Sequence, residues 1–251
     1  MLKEERHQYI LKKLKQDYRV QVTMLSEELL ISDDTLRRDL AELNKLGLLT
    51  RVHGGAIAKS GIPVEFTKRL DTGIPEKQEL AKKAIPLFSE NDIILIDGGT
   101  SNLELARQLP NDIHLTIYTN SFPVVNELID RESIDLMFLG GNVFPSSRIT
   151  TGVPVIKALQ TFTADWYVLG ASNIHPEKGT TDPNREEAFT KIAMTERSKQ
   201  ILVLGDSYKL NTAETYTTAQ LSHIDYLIVK DEQVHQIKST WLNDAMHCTV
   251  I

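Results

Sequence analysis

Apolar positions recur at helical spacing through the first fifty residues, and in short near-continuous runs after about residue 90. Ile10, Leu11 and Leu14 fall on one side of a helix expected over 3–16. Val20 and Val22 suggest a short extended piece leading into Thr23, the expected N-cap of a second helix. That helix carries Leu25 and Leu29 at i, i+4. A third helix follows, with Ser32 placed so that its hydroxyl can cap the free N–H groups. Asp33 and Asp34 lie in its first turn, where the helix dipole favours negative charge. Leu36, Leu40 and Leu43 put one side of it into a core. Arg38 and Lys45 lie about opposite, with Thr35 and Arg37 flanking the seam. Gly47 is a helix stop. LLTRVHGGAIA then alternates around Gly54-Gly55, as a β-hairpin does.

Two short helices joined by a tight turn, followed at once by a hairpin, read as a helix-turn-helix with a wing. The expected partner is DNA. Ser32, Thr35, Arg37, Arg38 and Lys45 are the candidate contacts on the recognition helix. Arg51 and His53 on the wing are placed to touch phosphates or the minor groove.

Residues 58–75 hold Gly61, Pro63, Gly73 and Pro75 and read as a linker between a DNA-binding domain over 1–57 and a second domain over 76–251. From Lys77 helix and strand patterns alternate. Strands are expected at 92–97, 114–119, 134–140, 164–170, 200–205 and 226–230, with a final CTVI. These runs are apolar almost throughout, as in a parallel sheet covered on both faces. The fold class is therefore α/β, with an N-terminal winged helix-turn-helix and a C-terminal doubly wound, mainly parallel sheet.

Ligands of such sheets bind beyond the carboxyl ends of the strands. The first strand runs into DGGTSN. Gly98 and Gly99 let backbone approach a ligand, Thr100 and Ser101 add hydroxyls, and the helix N-terminus adds N–H groups, so with Asp97 this turn suits a phosphate. Asn120 and Ser121 end the second strand and Gly141 follows the third. Arg148 lies in a long loop, and GDSYKL places Asp206 and Lys209 at the same edge. If the loops converge, these residues share one pocket. GxxxxGK[ST], GxGxxG, GxSxG and HExxH patterns are all absent, which leaves a dinucleotide or hydrolase reading weak.

The chain has 251 residues and a net charge of −6, which at first argues against a nucleic-acid partner. The charge is uneven: residues 1–60 hold 11 Lys+Arg against 9 Asp+Glu, and the rest hold 17 against 25. Arg37, Arg38, Lys45 and Arg51 can therefore form a local basic patch. The lone cysteine, Cys248, excludes an internal disulfide and a cysteine-cluster metal site. No leader or membrane-length apolar run is seen, so a cytoplasmic protein without a membrane partner is expected.

LLISDDTLRRDLAELNKLGLLTRVHGGA, with DGGTSN, TNS, LGGN and GDSYK, resembles the DeoR family of bacterial transcriptional regulators over nearly the whole length. The resemblance implies a winged-helix operator-binding domain and a sensor domain similar to ribose-5-phosphate isomerases. It implies a repressor of a carbohydrate catabolic operon, with operator DNA and a sugar-phosphate effector as partners, no cofactor, no metal and no catalytic residue. It also implies a homodimer or homotetramer. By that resemblance Thr35, Arg37 and Arg38 carry DNA contacts, and Gly98 to Ser101, Asn120, Gly141 and Lys209 carry the effector. One departure bears on the alternative of a sugar-phosphate isomerase. Such a reaction needs a carboxylate base, and after the fourth strand this chain has Ser172 and Asn173, with Glu186 and Glu187 only on the next helix. A nucleotide-responsive regulator using the DGGTSN turn is the other alternative.

Overall fold

The computed structural model describes residues 1–17, 19–52, 54–58, 66–242 and 247–251. These form two compact units, Met1–Val64 and Glu65–Ile251.

In the first unit α1 (Lys3–Asp17) precedes β1 (Arg19–Gln21), α2 (Val22–Leu29), α3 (Asp33–Lys45), β2 (Leu49–Val52) and β3 (Gly55–Ala58). One buried cluster joins Ile10 and Leu14 of α1, Leu25 of α2, Leu36, Leu40 and Leu43 of α3, and Leu49 of β2. The apolar stripes of three short helices are thus spent on one another, which is what stabilises helices too short to persist alone. α2 starts two residues earlier than its sequence suggests: Gln21, not Thr23, is its N-cap, because Val22 is drawn into the core. The turn into α3 passes through Leu30 in the left-handed region at φ 54°. Ser32 is the N-cap of α3, but its hydroxyl caps no backbone N–H; it pairs with Thr35 Oγ1 at 3.0 Å. α3 ends with Gly47 N–H on Asn44 O and Leu48 N–H on Leu43 O, both 2.9 Å, the two bonds of a Schellman cap. β3 lies between β1 and β2, and the β2–β3 hairpin forms the wing.

In the second unit α4 (Phe66–Leu70) and α5 (Ile74–Ala84) lead into β4 (Ile93–Ile96). Then come α6 (Thr100–Gln108), β5 (Leu115–Thr119), α7 (Phe122–Leu128) and β6 (Ile134–Phe138). A β7–β8 hairpin (Asn142–Phe144, Ile149–Thr151) and α8 (Val153–Leu159) precede β9 (Ala164–Leu169), β10 (Asn173–His175) and β11 (Gly179–Asp182). The chain finishes with α9 (Arg185–Thr195), β12 (Ser198–Leu204), β13 (Tyr216–Ala219), β14 (Tyr226–Ile228), α10 (Asp231–Thr240) and β15 (Thr249–Val250). Within the stretch read as linker, residues 66–70 are helical and Phe66 is buried.

Seven strands form one parallel sheet in the order β15-β14-β12-β9-β4-β5-β6. Successive side chains of a strand point to opposite faces, and here both faces are covered except at the edge strand β6, where Met137 and Phe138 are exposed. Ile94, Ile96, Trp166, Val168, Leu202 and Leu204 pack with α5, α6 and α7. Leu95, Tyr167, Leu169, Ile201 and Val203 pack with α8, α9 and α10. That is why the strands read as unbroken apolar runs. The chain enters at β4, runs outward to β6, then returns and runs outward the other way from β9. The order therefore reverses between β4 and β9, and a crevice opens there beyond the carboxyl ends. The short antiparallel strands β10, β11 and β13 lie in segments that read as open loops. β10 and β11 form a local hairpin, with His175 opposite Gly179, but β13 joins from a distant segment, with Thr180 opposite Ala219.

Candidate functional site

The helix α3 presents two unlike sides. Leu36, Leu40, Leu43 and also Asp39 are buried, while Arg37, Arg38 and Lys45 face solvent and Thr35 is half-buried. Asp39 is the residue that periodicity alone does not explain. It accepts a hydrogen bond from Arg6 Nη2 at 2.9 Å and a second from Arg6 Nε, and lies 3.1 Å from His7 Nε2. Burial raises its pKa, but these partners outweigh that and hold its carboxyl below the usual range. The pair locks α3 against α1. Arg37 leans back on Asp33 and Asp34 at 3.4 Å each, loose contacts in open solvent. Arg38 and Lys45 make no ion pair among the described residues. Arg51 is exposed on the wing, its backbone N–H on Asn44 Oδ1 at 3.0 Å. His53 lies outside the described residues.

The second site lies at the reversal of the sheet. Gly99 begins α6 at φ 137° and ψ 150°, backbone that an L side chain rarely adopts, so its glycine is required. On the other side of the crevice Gly170 has no room for a side chain: a Cβ would lie 2.0 Å from Gly98 O. Asp97 draws the two strand ends together. Its carboxylate accepts from Gly170 N–H (2.6 Å), Asn102 Nδ2 (2.8 Å) and Tyr167 OH (2.9 Å). It is fully buried, and that burial pushes it up to about 7. Asp97 therefore shapes the turn from beneath and does not line the pocket.

The pocket is lined by Arg69, Gly98 to Asn102, Ser147, Gly170 to Ser172, Glu187, Lys191 and Lys209. Lys209 Nζ reaches Ser101 Oγ at 3.0 Å and Asp206 Oδ2 at 3.1 Å, and Ser101 Oγ donates to the same Asp206 oxygen at 2.8 Å. The Ser101 proton is thus held by Asp206, and an ammonium and the first N–H groups of a nine-residue helix meet beside it, which suits an anion. Behind it Lys191 sits 2.6 Å from Asp182 and 2.9 Å from Glu187. Burial acts to lower the Lys191 pKa, but the carboxylates of Asp182, Glu187 and Asp97 outweigh it and hold the ammonium charged. Glu187 also accepts from Ser147 Oγ at 3.0 Å, and Asp182 from Ser172 Oγ at 3.2 Å. The free space is about 10 Å³, room for about one water molecule.

The expected single pocket is divided. Gly98 to Ser101 and Lys209 come together. Asn120 and Ser121 are buried one strand away, where Asn120 Nδ2 donates to Thr150 O at 2.7 Å and Ser121 bridges Ile149. Ile149 fills the space between, since a Cβ on Gly98 would meet its Cγ2 at 2.4 Å. Gly141 packs on Thr151 and Val155 instead of the crevice. Arg148, at φ 53°, points its guanidinium over the Phe66 ring, 5.5 Å from the centroid, and lines a separate open cleft of about 510 Å³ with Phe122 and Val143. Arg69, Ser147 and Lys191 line the pocket, and Asp182 backs it, without being among the residues expected there from sequence. Glu187 and Lys191 were legible as an i, i+4 pair, but nothing local links either to Asp182 or to β4. Asn173 is buried and donates to Thr212 Oγ1 at 2.5 Å.

Two family models match the chain: a DeoR-like helix-turn-helix domain over residues 6–61 and a DeoR C-terminal sensor domain over 73–231. The chain belongs to the DeoR family of transcriptional regulators. DeoR-family members similar to it include the HTH-type transcriptional repressor GlcR of Bacillus subtilis, 33% identical over 91% of this chain and 88% of the relative. The putative aga operon transcriptional repressor of Escherichia coli O157:H7 is 32% identical over 90% and 86%. The L-fucose operon activator of Escherichia coli K12 is 30% identical over 93% and 97%. Among solved structures, ribose 5-phosphate isomerase A of Methanocaldococcus jannaschii overlaps 53% of each chain at 17% identity and a TM-score of 0.40. As a DeoR-family protein the chain is a DNA-binding transcriptional regulator with a sensor domain, not an enzyme. Among the described residues no helix is long and apolar enough to cross a membrane.

Proposed function

We propose that this DeoR-family regulator represses a carbohydrate operon and changes its operator affinity when a phosphorylated sugar binds the second unit. The DNA half is carried by α3: its apolar seam is wholly buried while Arg37, Arg38 and Lys45 stay in solvent beside the exposed Arg51 of the wing. Ser32 and Thr35 stand at the N-terminal end of the same helix, the end that meets base edges in helix-turn-helix proteins. Arg38 suits a guanine edge or a phosphate. Residues over 1–57 act as the DNA-binding domain and those over 76–251 as the sensor, with 58–75 between them.

The effector half rests on the corner where the α6 N-terminus and Ser101 meet Lys209, whose ammonium is shared with Asp206. A phosphate there would take its hydrogen bonds from Gly99 to Ser101 and its countercharge from Lys209. Glu187, Lys191 and Ser172 face the same pocket and suit sugar hydroxyls. The names of relatives, a GlcR repressor and an aga operon repressor, agree with a carbohydrate pathway. A homodimer, or a pair of dimers, would match a two-fold operator.

Fluorescence anisotropy on the DNA upstream of its own gene, at fixed salt, tests both halves. Binding that one sugar phosphate alone shifts is the expected outcome. Binding that no sugar phosphate shifts removes the effector half, and no binding there or at any operator selected from random DNA removes the first.

A further inference from the structure

Arg69 lies on α4, the first helix after the residues that join the two units, and it reaches into the pocket beside Ser147 and Lys209. Its Nε is buried without a hydrogen-bond partner, and its guanidinium has no ion pair among the described residues. The other two pocket cations differ. Lys209 is matched by Asp206, and Lys191 by Asp182 and Glu187. Arg69 is thus the one pocket cation, among the described residues, whose charge is met by no carboxylate. A buried N–H without an acceptor is costly, and a planar donor fork fits two oxygens of one phosphate.

Within the helix that carries it, the Arg69 guanidinium lies over the Phe66 ring, 5.9 Å from the centroid, and further ties come from outside. Five residues make too short a helix to stand alone. Phe66 N–H donates to Ser146 O at 3.1 Å, next to the pocket residue Ser147. After the helix, Lys77 Nζ donates to the carbonyls of Arg69 and Thr72 at 2.7 and 2.6 Å. Tyr208 OH donates to Thr72 O at 3.2 Å, and Tyr208 adjoins Lys209. Both ends of the α4 segment are therefore tied to chain that walls the anion corner. The corner itself has room for about one water molecule, so a sugar phosphate seated there either extends out of it or displaces part of that wall.

We propose that Arg69 is a further effector contact, recruited by the phosphate, and that its movement carries the binding event to α4 and so along the chain toward the DNA-binding unit. This rests on the anion-site reading above. The phosphate would sit on the α6 N-terminus and Lys209, the Arg69 fork would close on its free oxygens, and α4 would shift with it. Arg69 then decides how binding is read out, while Lys209 and Ser101 decide that binding occurs.

Hydrogen–deuterium exchange on the full chain tests this, with inorganic phosphate against chloride at matched ionic strength. In the parent, phosphate should slow exchange both in 98–108 and in 66–77. In Arg69→Gln the first segment should still be slowed and the second no longer. Arg69→Lys, which keeps the charge and loses the fork, should retain part of the effect and guards against a folding defect. In operator anisotropy, a sugar-phosphate response in the usual range of about 5–150-fold should fall to roughly twofold or less in Arg69→Gln. Slowing of 66–77 that survives in Arg69→Gln overturns the proposal, as does a parent in which only 98–108 responds. A parent in which neither segment responds removes the anion site itself, and the proposal with it.

Discussion

Neighbouring residues 38 and 39 show how one position can serve DNA while the next serves the fold. Arg38 is exposed and unpaired among the described residues; Asp39 is buried on Arg6 and His7. Arg38→Ala should weaken operator binding by about 1–3 kcal/mol in anisotropy and leave melting unchanged. Asp39→Ala should do the reverse first, destabilising the N-terminal unit by roughly 2–3 kcal/mol because Arg6 is left partly buried and unpaired. Thermal melting followed by circular dichroism separates the two, and equal melting of Asp39→Ala and parent would refute the locking role. Asp97 gives a pH prediction. Its folded pKa is about 7, against about 4 for an unfolded aspartate. The folded protein holds a proton that the unfolded chain releases between those values, so stability falls as pH rises from about 4 to about 7. Asp97→Asn should flatten the melting-temperature difference between about pH 5 and pH 7.5. An unchanged difference would assign the pH response to other groups.

At the scale of elements, stability and recognition come from the same helix by way of its two sides. Leu40 of α3 is buried among α1, α2 and β2. Leu40→Ala should cost about 2–5 kcal/mol, much of what a unit of some sixty residues possesses. Loss of DNA binding in that variant would follow unfolding, whereas in Arg38→Ala it would not. The turn from β4 into α6 depends on Gly99 in the same sense. Gly99→Ala forces a methyl group into φ 137° and should abolish phosphate protection of 98–108 while the sheet still forms, which near-unchanged far-ultraviolet circular dichroism would confirm. α4 shows the opposite kind of element, one held by its neighbours more than by its own bonds.

Across the whole molecule, two units with separate cores are expected to melt separately. Phosphate stabilises whatever binds it by mass action. Calorimetry should therefore show inorganic phosphate raising the melting of Glu65–Ile251 and leaving that of Met1–Val64 in place. A common shift of both would mean that the units melt as one. The acidic remainder of the chain, 17 Lys+Arg against 25 Asp+Glu, should keep binding to unrelated DNA weak and steeply salt-dependent. The operator, bound by a small local patch, should stand well above that background in a salt titration.

What the sequence by itself determined was whatever depends on local periodicity. The Leu36–Leu40–Leu43 seam, the Gly47 stop and the alternating hairpin specify the winged helix within about thirty residues, because each feature is a backbone or burial requirement that its own neighbours can satisfy. The seven apolar runs specify a covered parallel sheet for the same reason. Tertiary structure alone decided which loops meet. Strand order places the end of β4 beside the end of β9 and not beside Gly141, and Ile149 separates Asn120 and Ser121 from the Gly98 turn. It also converted Asp97 from an apparent ligand into the clasp between two strands, moved Arg148 to another cleft, brought Arg69 and Lys191 to the pocket from distant segments, and set Asp182 behind it on Lys191. Those outcomes depend on which strands neighbour each other. That is settled by how whole faces bury together, and no stretch of sequence carries it alone.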